Sequence, residues 1–116
     1  MAGADRDEVI DAFGRAVNMT PAELERWLAT DASREVGQRP SGGGESVGHA
    51  SGRRIVELKR TKRSDLTEDD LAHMRKVVGY VHRHAVQRPR GDVRASPWRH
   101  SLMNWGHDPL ADDAGE

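Results

Sequence analysis

The chain of 116 residues contains no cysteine, which excludes disulfide bonds, thiolate metal sites and a cysteine nucleophile. Long apolar runs are also missing. The longest apolar stretch, around residues 77–81, is interrupted by Gly79, so it is too short to span a membrane. The N-terminus lacks the basic-then-apolar pattern of a signal peptide. We therefore expect a cytoplasmic protein that has no membrane partner.

Hydrophobic residues are scarce as well. They make up 35% of the chain, and aromatic residues only 4%, whereas a typical globular domain is about 45–50% apolar when glycine is counted. A chain of this length and composition can bury one modest core. We predict a single helical domain over residues 5–109 and an acidic disordered tail over residues 110–116.

The formal net charge of −1 hides an uneven distribution of charge along the chain. Residues 1–45 carry five arginines against nine acidic residues, a net charge of −4. Residues 46–107 carry 13 lysines and arginines against six acidic residues, a net charge of +7, and all six histidines. Residues 108–116 contribute −4. A basic body between two acidic ends points to a polyanionic partner. The simpler explanation is a solvated, arginine-rich helix face.

Helical periodicity and capping signals predict an all-α bundle of four to five helices with no strand. Thr20 with Glu23, Thr67 before an acidic cluster, and Ser96 before a proline are helix starts. The predicted helices cover residues 5–18, 21–30, 53–61, 67–88 and 97–105. The first residue of the third helix is placed between residues 46 and 51, and residues 53–61 are the part that packs against helix 67–88.

The central helix, 67–88, carries apolar residues at alternating spacings of three and four, which is a heptad-like stripe. The stripe consists of Leu71, Met74, Val78, Val81 and Ala85. It either packs inside the domain or pairs with a partner helix or a second copy. The three tryptophans, 27, 98 and 105, are predicted to form the core of the bundle, and stacking of one of them on a base is the alternative.

The spacing of the histidines does not indicate a metal or catalytic site. His82 and His84 are two residues apart and point to nearly opposite sides of a helix. The His-x-x-x-His spacing of metalloproteases is missing, and no serine has the strand context of a nucleophile elbow. We predict no enzyme activity and no cofactor. The alternative is a site assembled from His49, His82 and His107.

A glycine-rich loop followed by a basic helix carries the strongest functional signal. The loop at residues 40–46 leads into a helix start, where backbone amides can hold a phosphate. It is not a P-loop, because no Gly-Lys-Ser/Thr follows the glycines, and a mobile linker is the alternative. The arginines of residues 53–63 can bind phosphate in bidentate fashion. This face suits contact with the phosphate backbone better than base reading.

Four strings spread over residues 5–110 resemble the signatures of one small protein family. They are Met-Thr-Pro-Ala-Glu-Leu at 19–24, Ser-Gly-Gly-Gly-Glu-Ser-Val-Gly-His-Ala-Ser-Gly-Arg-Arg-Ile-Val at 41–56, Met-Arg-Lys-Val-Val-Gly-Tyr-Val-His-Arg-His at 74–84 and Ser-Leu-Met-Asn-Trp-Gly-His-Asp-Pro at 101–109. The family is a domain of unknown function found in actinobacteria, other bacteria and fungi, and its members are often labelled DNA-binding proteins. The resemblance implies a compact domain with a DNA-binding label, and no catalytic residue.

The predicted nucleic-acid site combines hydroxyls, a histidine and cations from the glycine loop and basic helix with one arginine of helix 67–88. Its residues are Ser46, His49, Ser51, Arg53, Arg54, Lys59, Arg60, Lys62, Arg63 and Arg83. If the signature strings converge in space, His82 and His107 join this patch. In the competing explanation, Gly48, Gly52 and Gly79 permit close helix packing and the polar residues serve as caps.

Two functional hypotheses result. The first is a small DNA-binding protein that contacts mainly phosphates and is associated with the chromosome in the nucleoid. The acidic tail, residues 108–116, would then fold back on the basic surface and weaken binding. The alternative is a protein-interaction or regulatory module, either a helical adaptor or a homodimer paired through helix 67–88, without nucleic-acid binding.

Overall fold

The structure, a computed structural model, describes residues 2–37, 39 and 43–111. Over these residues the chain forms α-helices, one 3-10 turn at Arg63–Asp65 and no strand, which confirms the all-α prediction. Their helices are α1 (Ala2–Ala16), α2 (Pro21–Leu28), α3 (Asp31–Glu35), α4 (Val47–Arg60), α5 (Glu68–Ala85) and α6 (Pro97–Asn104). None of these helices is long and apolar enough to cross a membrane.

The helix starts that were predicted from capping signals are confirmed. Thr20 and Glu23 form a capping box at the start of α2, and Thr67 and Asp70 form one at the start of α5. Ser96 caps α6. The first amides of a helix have no partner within it, so these side chains stabilise the helix by accepting their hydrogen bonds. Five helices of eight or more residues match the predicted elements.

Helix α3 is a single turn that was not predicted. The Oγ1 atom of Thr30 accepts a hydrogen bond from the amide of Ser33 at 3.1 Å, which caps the turn. Ser33 is fully buried and bonds to Asn104 of α6 through both its hydroxyl and its carbonyl oxygen. A helix of five residues is too short to show an apolar repeat. It is held in place by this contact with α6.

The core lies between two helix pairs. Helix α5 packs against α1 and helix α4 packs against α2, while α6 touches α2, α3, α4 and α5 and so closes the core. Trp98 and Trp105 are only 8% and 4% exposed, and Trp27 is partly buried against the core. The prediction of a tryptophan core is therefore confirmed.

The apolar stripe of α5 faces the interior of its own chain. Leu71, Met74 and Val81 are buried, and Val78 is half-buried against the same core. Because α1 packs on α5, most of this stripe is covered by residues of the same chain. Leu71, Met74 and Val81 are therefore not available to a partner, whereas Val78 also lines a groove beside α1. A homodimer paired through helix 67–88 stays a prediction.

The described residues reach slightly beyond the predicted domain end. Arg99 donates to Asp108 through Nε at 3.0 Å and through Nη2 at 2.9 Å, which ties the segment after α6 to that helix. Leu110 packs against the core. Leu110 of the predicted tail thus contacts the core, whereas residues 112–116 lie outside the described residues.

Candidate functional site

The start of α4, predicted to hold phosphate, is occupied by contacts within the fold. Ser46 is 1% exposed, and its Oγ accepts a hydrogen bond from the amide of His49 at 3.1 Å. The Nε2 atom of His49 lies 2.8 Å from the carbonyl oxygen of Leu28. These two predicted phosphate ligands therefore serve as a helix cap and a link between α2 and α4.

The carboxylate of Glu45 bonds to the side chains of both Arg53 and His49. Arg53 donates to this carboxylate through Nε at 2.8 Å and through Nη2, and Nδ1 of His49 bonds to the same carboxylate. The hydrogen bonds from Arg53 and then from His49 lower the pKa of Glu45 to about 2. Glu45 is thus ionised at neutral pH and compensates the charge of Arg53.

The other arginines of the predicted basic face are also paired with carboxylates. The pairs are Arg54–Asp70 (3.3 Å), Arg60–Glu25 (2.9 Å), Arg63–Asp7 (3.1 Å) and Arg63–Asp11 (3.3 Å). Most of these carboxylates come from the acidic first 45 residues. The acidic front of the chain therefore lies among the cations of the basic run, and this surface is mixed in charge.

A groove between α2 and α4 shows the same mixture. It has a volume of about 770 Å³, and its charged lining residues include both signs. They are Glu25, Arg34, Arg53, Glu57 and Arg60. A polyanion that entered this groove would meet carboxylates as well as guanidinium groups, so the predicted basic face of α4 is not a uniformly positive surface.

The remaining predicted site residues are dispersed. Ser51 is buried, with its Oγ 3.0 Å from Nε2 of His73, and burial lowers the pKa of that histidine. The Nζ atom of Lys59 lies 3.4 Å from the carbonyl oxygen of Val17. Lys62 and Arg83 are exposed. Ser51 is therefore a packing residue, whereas Lys62 and Arg83 stay accessible.

The structure does not bring the distant histidines together. Nδ1 of His107 lies 2.8 Å from the carbonyl oxygen of Ala16, at the end of α1, whereas His49 is bonded at the start of α4. His82 is exposed on α5. Among the described residues, no group of three or more histidine, aspartate or glutamate side chains is arranged to hold a metal ion.

A second basic surface lies on α5, and of its residues only Arg83 belongs to the predicted site. The chain has no acidic residue between Asp70 and Asp92. Arg75, Lys76 and Arg83 are exposed, and over the part of the chain that the structure describes no ion pair joins them to a carboxylate. We call these three residues the basic face of α5. The absence of acidic residues between Asp70 and Asp92 is the sequence feature from which this basic face could have been predicted.

Gly79 lies on this basic face. A Cβ atom there would meet only the side chain of Arg83, with Nη1 at 2.9 Å. At Gly48 a Cβ atom would lie 3.0 Å from Nε1 of Trp105, and at Gly52 it would lie 2.5 Å from the carbonyl oxygen of Asn104. Close helix packing thus explains Gly48 and Gly52 but not Gly79.

Segments from three of the four signature strings meet beside Trp105. Its ring stacks on Tyr80 at 4.3 Å and 16°, and Tyr80 stacks on His84 at 5.1 Å and 21°. A cavity of about 390 Å³ lies next to this stack. Its lining consists of Gly37, Val47, Gly48, Tyr80, His84, Ser101, Asn104 and Trp105. The strings converge in space, but at an aromatic cavity and not in a basic patch.

A protein-family model described as "Protein of unknown function (DUF3140)" matches residues 12–103. The chain belongs to the DUF3140 family. Comparison with curated proteins and with solved structures gives no match. Membership in DUF3140 confirms the resemblance to a domain of unknown function and assigns no role to any residue.

In this DUF3140 protein, two features are not explained by folding alone. One is the unpaired basic face of α5, and the other is the cavity beside Trp105. Each is built from helices that the bundle fixes in place, so each holds a defined arrangement of side chains.

Proposed function

We propose that this protein binds DNA through phosphate contacts made by the basic face of α5. The observation that carries the proposal is the absence of ion pairs for Arg75, Lys76 and Arg83 among the described residues, while the arginines of α4 are paired. An unpaired guanidinium can bind a phosphate without first releasing a carboxylate. The surface thus lies on a different helix from the one that the basic run indicates.

The geometry of α5 supports contact with several phosphates at once. At 100° and about 1.5 Å per residue, Arg75, Lys76, Gly79 and Arg83 fall within roughly 100° of the helix circumference and about 12 Å of its length. The face offers cations and no exposed aromatic ring for stacking. Cations of this kind position a protein on the phosphate backbone and carry little sequence information.

The charge distribution and the resemblance add support. The stretch of residues 46–107 has a net charge of +7, and the resemblance carries the label of a DNA-binding protein. The proposal includes no catalytic step. DNA binding would place the protein on the chromosome, in the nucleoid if its source is bacterial.

Fluorescence anisotropy with a labelled DNA duplex, measured over a series of salt concentrations, tests the proposal. Three phosphate contacts predict a slope of log affinity against log salt of about −3. The double variant Arg75→Gln/Arg83→Gln should reduce the slope by roughly two and lower the affinity at least tenfold at low salt. Arg15→Gln/Arg26→Gln is the matched control, because it removes the same charge from exposed positions on α1 and α2.

The controls separate the possible surfaces. If both double variants lose the same affinity, net charge and not the basic face of α5 governs binding. If Glu25→Gln/Arg60→Gln, which keeps the net charge, abolishes binding, the interface is α4 as the basic run suggested. If the unmodified protein does not bind at low salt, the protein-interaction module remains as the hypothesis.

A further inference from the structure

A cleft of about 340 Å³ lies between α4 and α5, and we call it the α4–α5 cleft. Its volume is at the lower end of the roughly 300–1,000 Å³ that ligand sites occupy. Tyr80 and His84 do not line it, so it is distinct from the cavity described above. Its lining includes two cations and a histidine, together with a carboxylate, a hydroxyl and an indole: Arg54, Lys76, His73, Glu45, Ser51 and Trp105.

Two contacts between α4 and α5 determine where the charges lie. Oγ of Ser51 lies 3.0 Å from Nε2 of His73. One turn further along α4, Nη2 of Arg54 donates to Oδ1 of Asp70, which lies one turn back along α5. The two helices are therefore antiparallel here. Arg54 and Lys76 lie on opposite sides of the first contact, each about 4.5 Å from it along the helix axis, so the imidazole lies between two cations.

The imidazole of His73 is in a positive electrostatic potential. Burial lowers the pKa of His73, the charges of Arg54 and Lys76 lower it further, and Asp70 raises it by a smaller amount. A nearby cation disfavours a second positive charge, so the cations outweigh this carboxylate at the ring. Glu45 also lines the cleft, but its carboxylate is already bonded to an arginine and a histidine. An anion beside the ring would therefore be attracted.

Arg54 is held less firmly by its carboxylate than the other arginines of α4. It makes one hydrogen bond, at 3.3 Å, whereas Arg53 and Arg60 each make two with their carboxylates. The pKa of Asp70 is lowered first by the backbone amide of Thr67, and Arg54 contributes less. A guanidinium has five N–H donors, so Arg54 can bind an anion without releasing Asp70.

The ring of His73 is held from two sides and has one free nitrogen. Nε2 is engaged by Ser51, and the ring lies nearly parallel to the indole of Trp105, at 6.4 Å and 12°. Nδ1 forms no hydrogen bond with a described residue and is not buried. A hydroxyl accepts as well as donates. Ser51 therefore stays bonded to Nε2 when the imidazole takes up a proton, and Nδ1 is left to donate to an anion.

The three donors suit a tetrahedral oxyanion. Arg54, Lys76 and Nδ1 of His73 come from two helices and from three levels along them. A phosphate group directs its oxygens to the corners of a tetrahedron, so it can accept from all three, whereas a carboxylate offers two oxygens in one plane. Guanidinium and ammonium groups are also the usual ligands of phosphate in proteins.

We propose that the α4–α5 cleft binds a phosphate group through Arg54, Lys76 and Nδ1 of His73, and that His73 takes up a proton when the phosphate binds. The group belongs either to the backbone of DNA or to a small phosphate monoester. With DNA as the source, the inference rests on the proposed function, because Lys76 is shared with the basic face of α5. With a monoester it is independent of that function.

Titration with sodium sulfate at constant ionic strength, followed by the NMR signals of the His73 imidazole, tests the site without DNA. Sulfate is a tetrahedral dianion whose charge is constant between about pH 5.5 and about pH 8, the range in which histidine titrates. We expect the affinity for sulfate to be at least about fivefold higher at the lower pH, because the imidazolium adds a charge-assisted hydrogen bond. Saturating sulfate should raise the pKa of His73.

Matched variants locate the site. Lys76→Gln should lower the affinity for sulfate about three- to tenfold, whereas Lys62→Gln removes the same charge from an exposed lysine outside the cleft. His73→Gln, whose amide can still bond to Ser51, should abolish the pH dependence. His82→Gln, an exposed position of the same helix outside the cleft, should retain it. Equal losses for the two lysine variants, or a pH dependence that persists in folded His73→Gln protein, would overturn the proposal.

Phenyl phosphate and a DNA duplex distinguish the two sources of the phosphate. A duplex that shifts the His73 signals, and whose affinity loses its pH dependence in His73→Gln, identifies the DNA backbone. Shifts with phenyl phosphate but not with the duplex identify a small monoester. Sulfate binding without DNA binding would overturn the proposed function and leave this inference standing. DNA binding that leaves the His73 signals unchanged, together with no shift by sulfate or phenyl phosphate, would overturn this inference and not the proposed function.

Discussion

Gly52 lies at a close contact among α2, α4 and α6, and its replacement by alanine tests how the bundle is packed. A Cβ atom at this position would lie 2.5 Å from the carbonyl oxygen of Asn104 and 2.7 Å from Cδ2 of Leu28. The oxygen belongs to the backbone, so it cannot turn aside as a flexible side chain could. Helices α4 and α6 would have to separate by several tenths of an ångström.

The cost of Gly52→Ala follows from three contributions. Overpacking a core costs about 1–3 kcal/mol. Displacement of Asn104 strains its hydrogen bonds with Ser33 and Trp27, each of which is worth about 1 kcal/mol. Alanine in place of glycine within a helix stabilises the folded state by about 1 kcal/mol, which offsets part of this cost. We expect a net destabilisation of about 2 kcal/mol, which lowers Tm by roughly 8 °C in a chain of this size.

Urea unfolding followed by circular dichroism measures this effect, with an m-value that stays unchanged. Gly14→Ala is the matched control, because nothing lies within 4 Å of a Cβ atom at that position of α1. It should stabilise the protein by about 0.5–1 kcal/mol. Gly79→Ala should behave like Gly14→Ala, since only the flexible tip of Arg83 must move. If Gly52→Ala unfolds at the same urea concentration as Gly14→Ala, the inferred contact of α4 with α6 is wrong.

Three further substitutions test other parts of the structure. The pKa of Glu45 is lowered to about 2 from its ordinary 4.5, so the carboxylate stabilises the fold above about pH 4.5 and this contribution is lost as the pH falls towards 2. The unfolding midpoints of wild type and Glu45→Gln should therefore differ at pH 6 and converge in acid, and a constant difference would contradict the pairing. Asn104→Ala leaves buried partners unsatisfied and should cost about 2–4 kcal/mol in urea unfolding, whereas a change below about 1 kcal/mol would speak against the buried network. Glu8 shares a groove with Arg75, so Glu8→Gln should raise DNA affinity about two- to threefold at low salt, and unchanged affinity would argue against a phosphate at this end of α5.

Local sequence signals were sufficient for most of the fold. Thr20, Thr67 and Ser96 determine where α2, α5 and α6 begin, because a capping side chain bonds to amides only two or three residues away. The apolar stripes of these helices follow from the same short-range periodicity. Helix α3 escaped prediction because the contact that holds it, between Ser33 and Asn104, joins residues 71 positions apart.

The candidate sites depended much more on long-range contacts. The basic run at residues 53–63 was visible in the sequence, but its partners were not, since Arg60 meets Glu25 and Arg63 meets Asp7 and Asp11 only in the folded chain. Because these arginines are paired with carboxylates, the basic face of α5 is the stronger candidate for binding phosphate. The convergence of the signature strings was anticipated, and its aromatic character was not.

The sequence alone determined the helical class, the single core built on tryptophan and the excess of positive charge in the middle of the chain. These properties depend on composition and on interactions within a few residues. Only the tertiary structure decided which of the cations are paired and where Trp105, Tyr80 and His84 leave a cavity. The electrostatic interaction of two charges depends on the distance between them in space, and folding sets that distance independently of their separation along the chain.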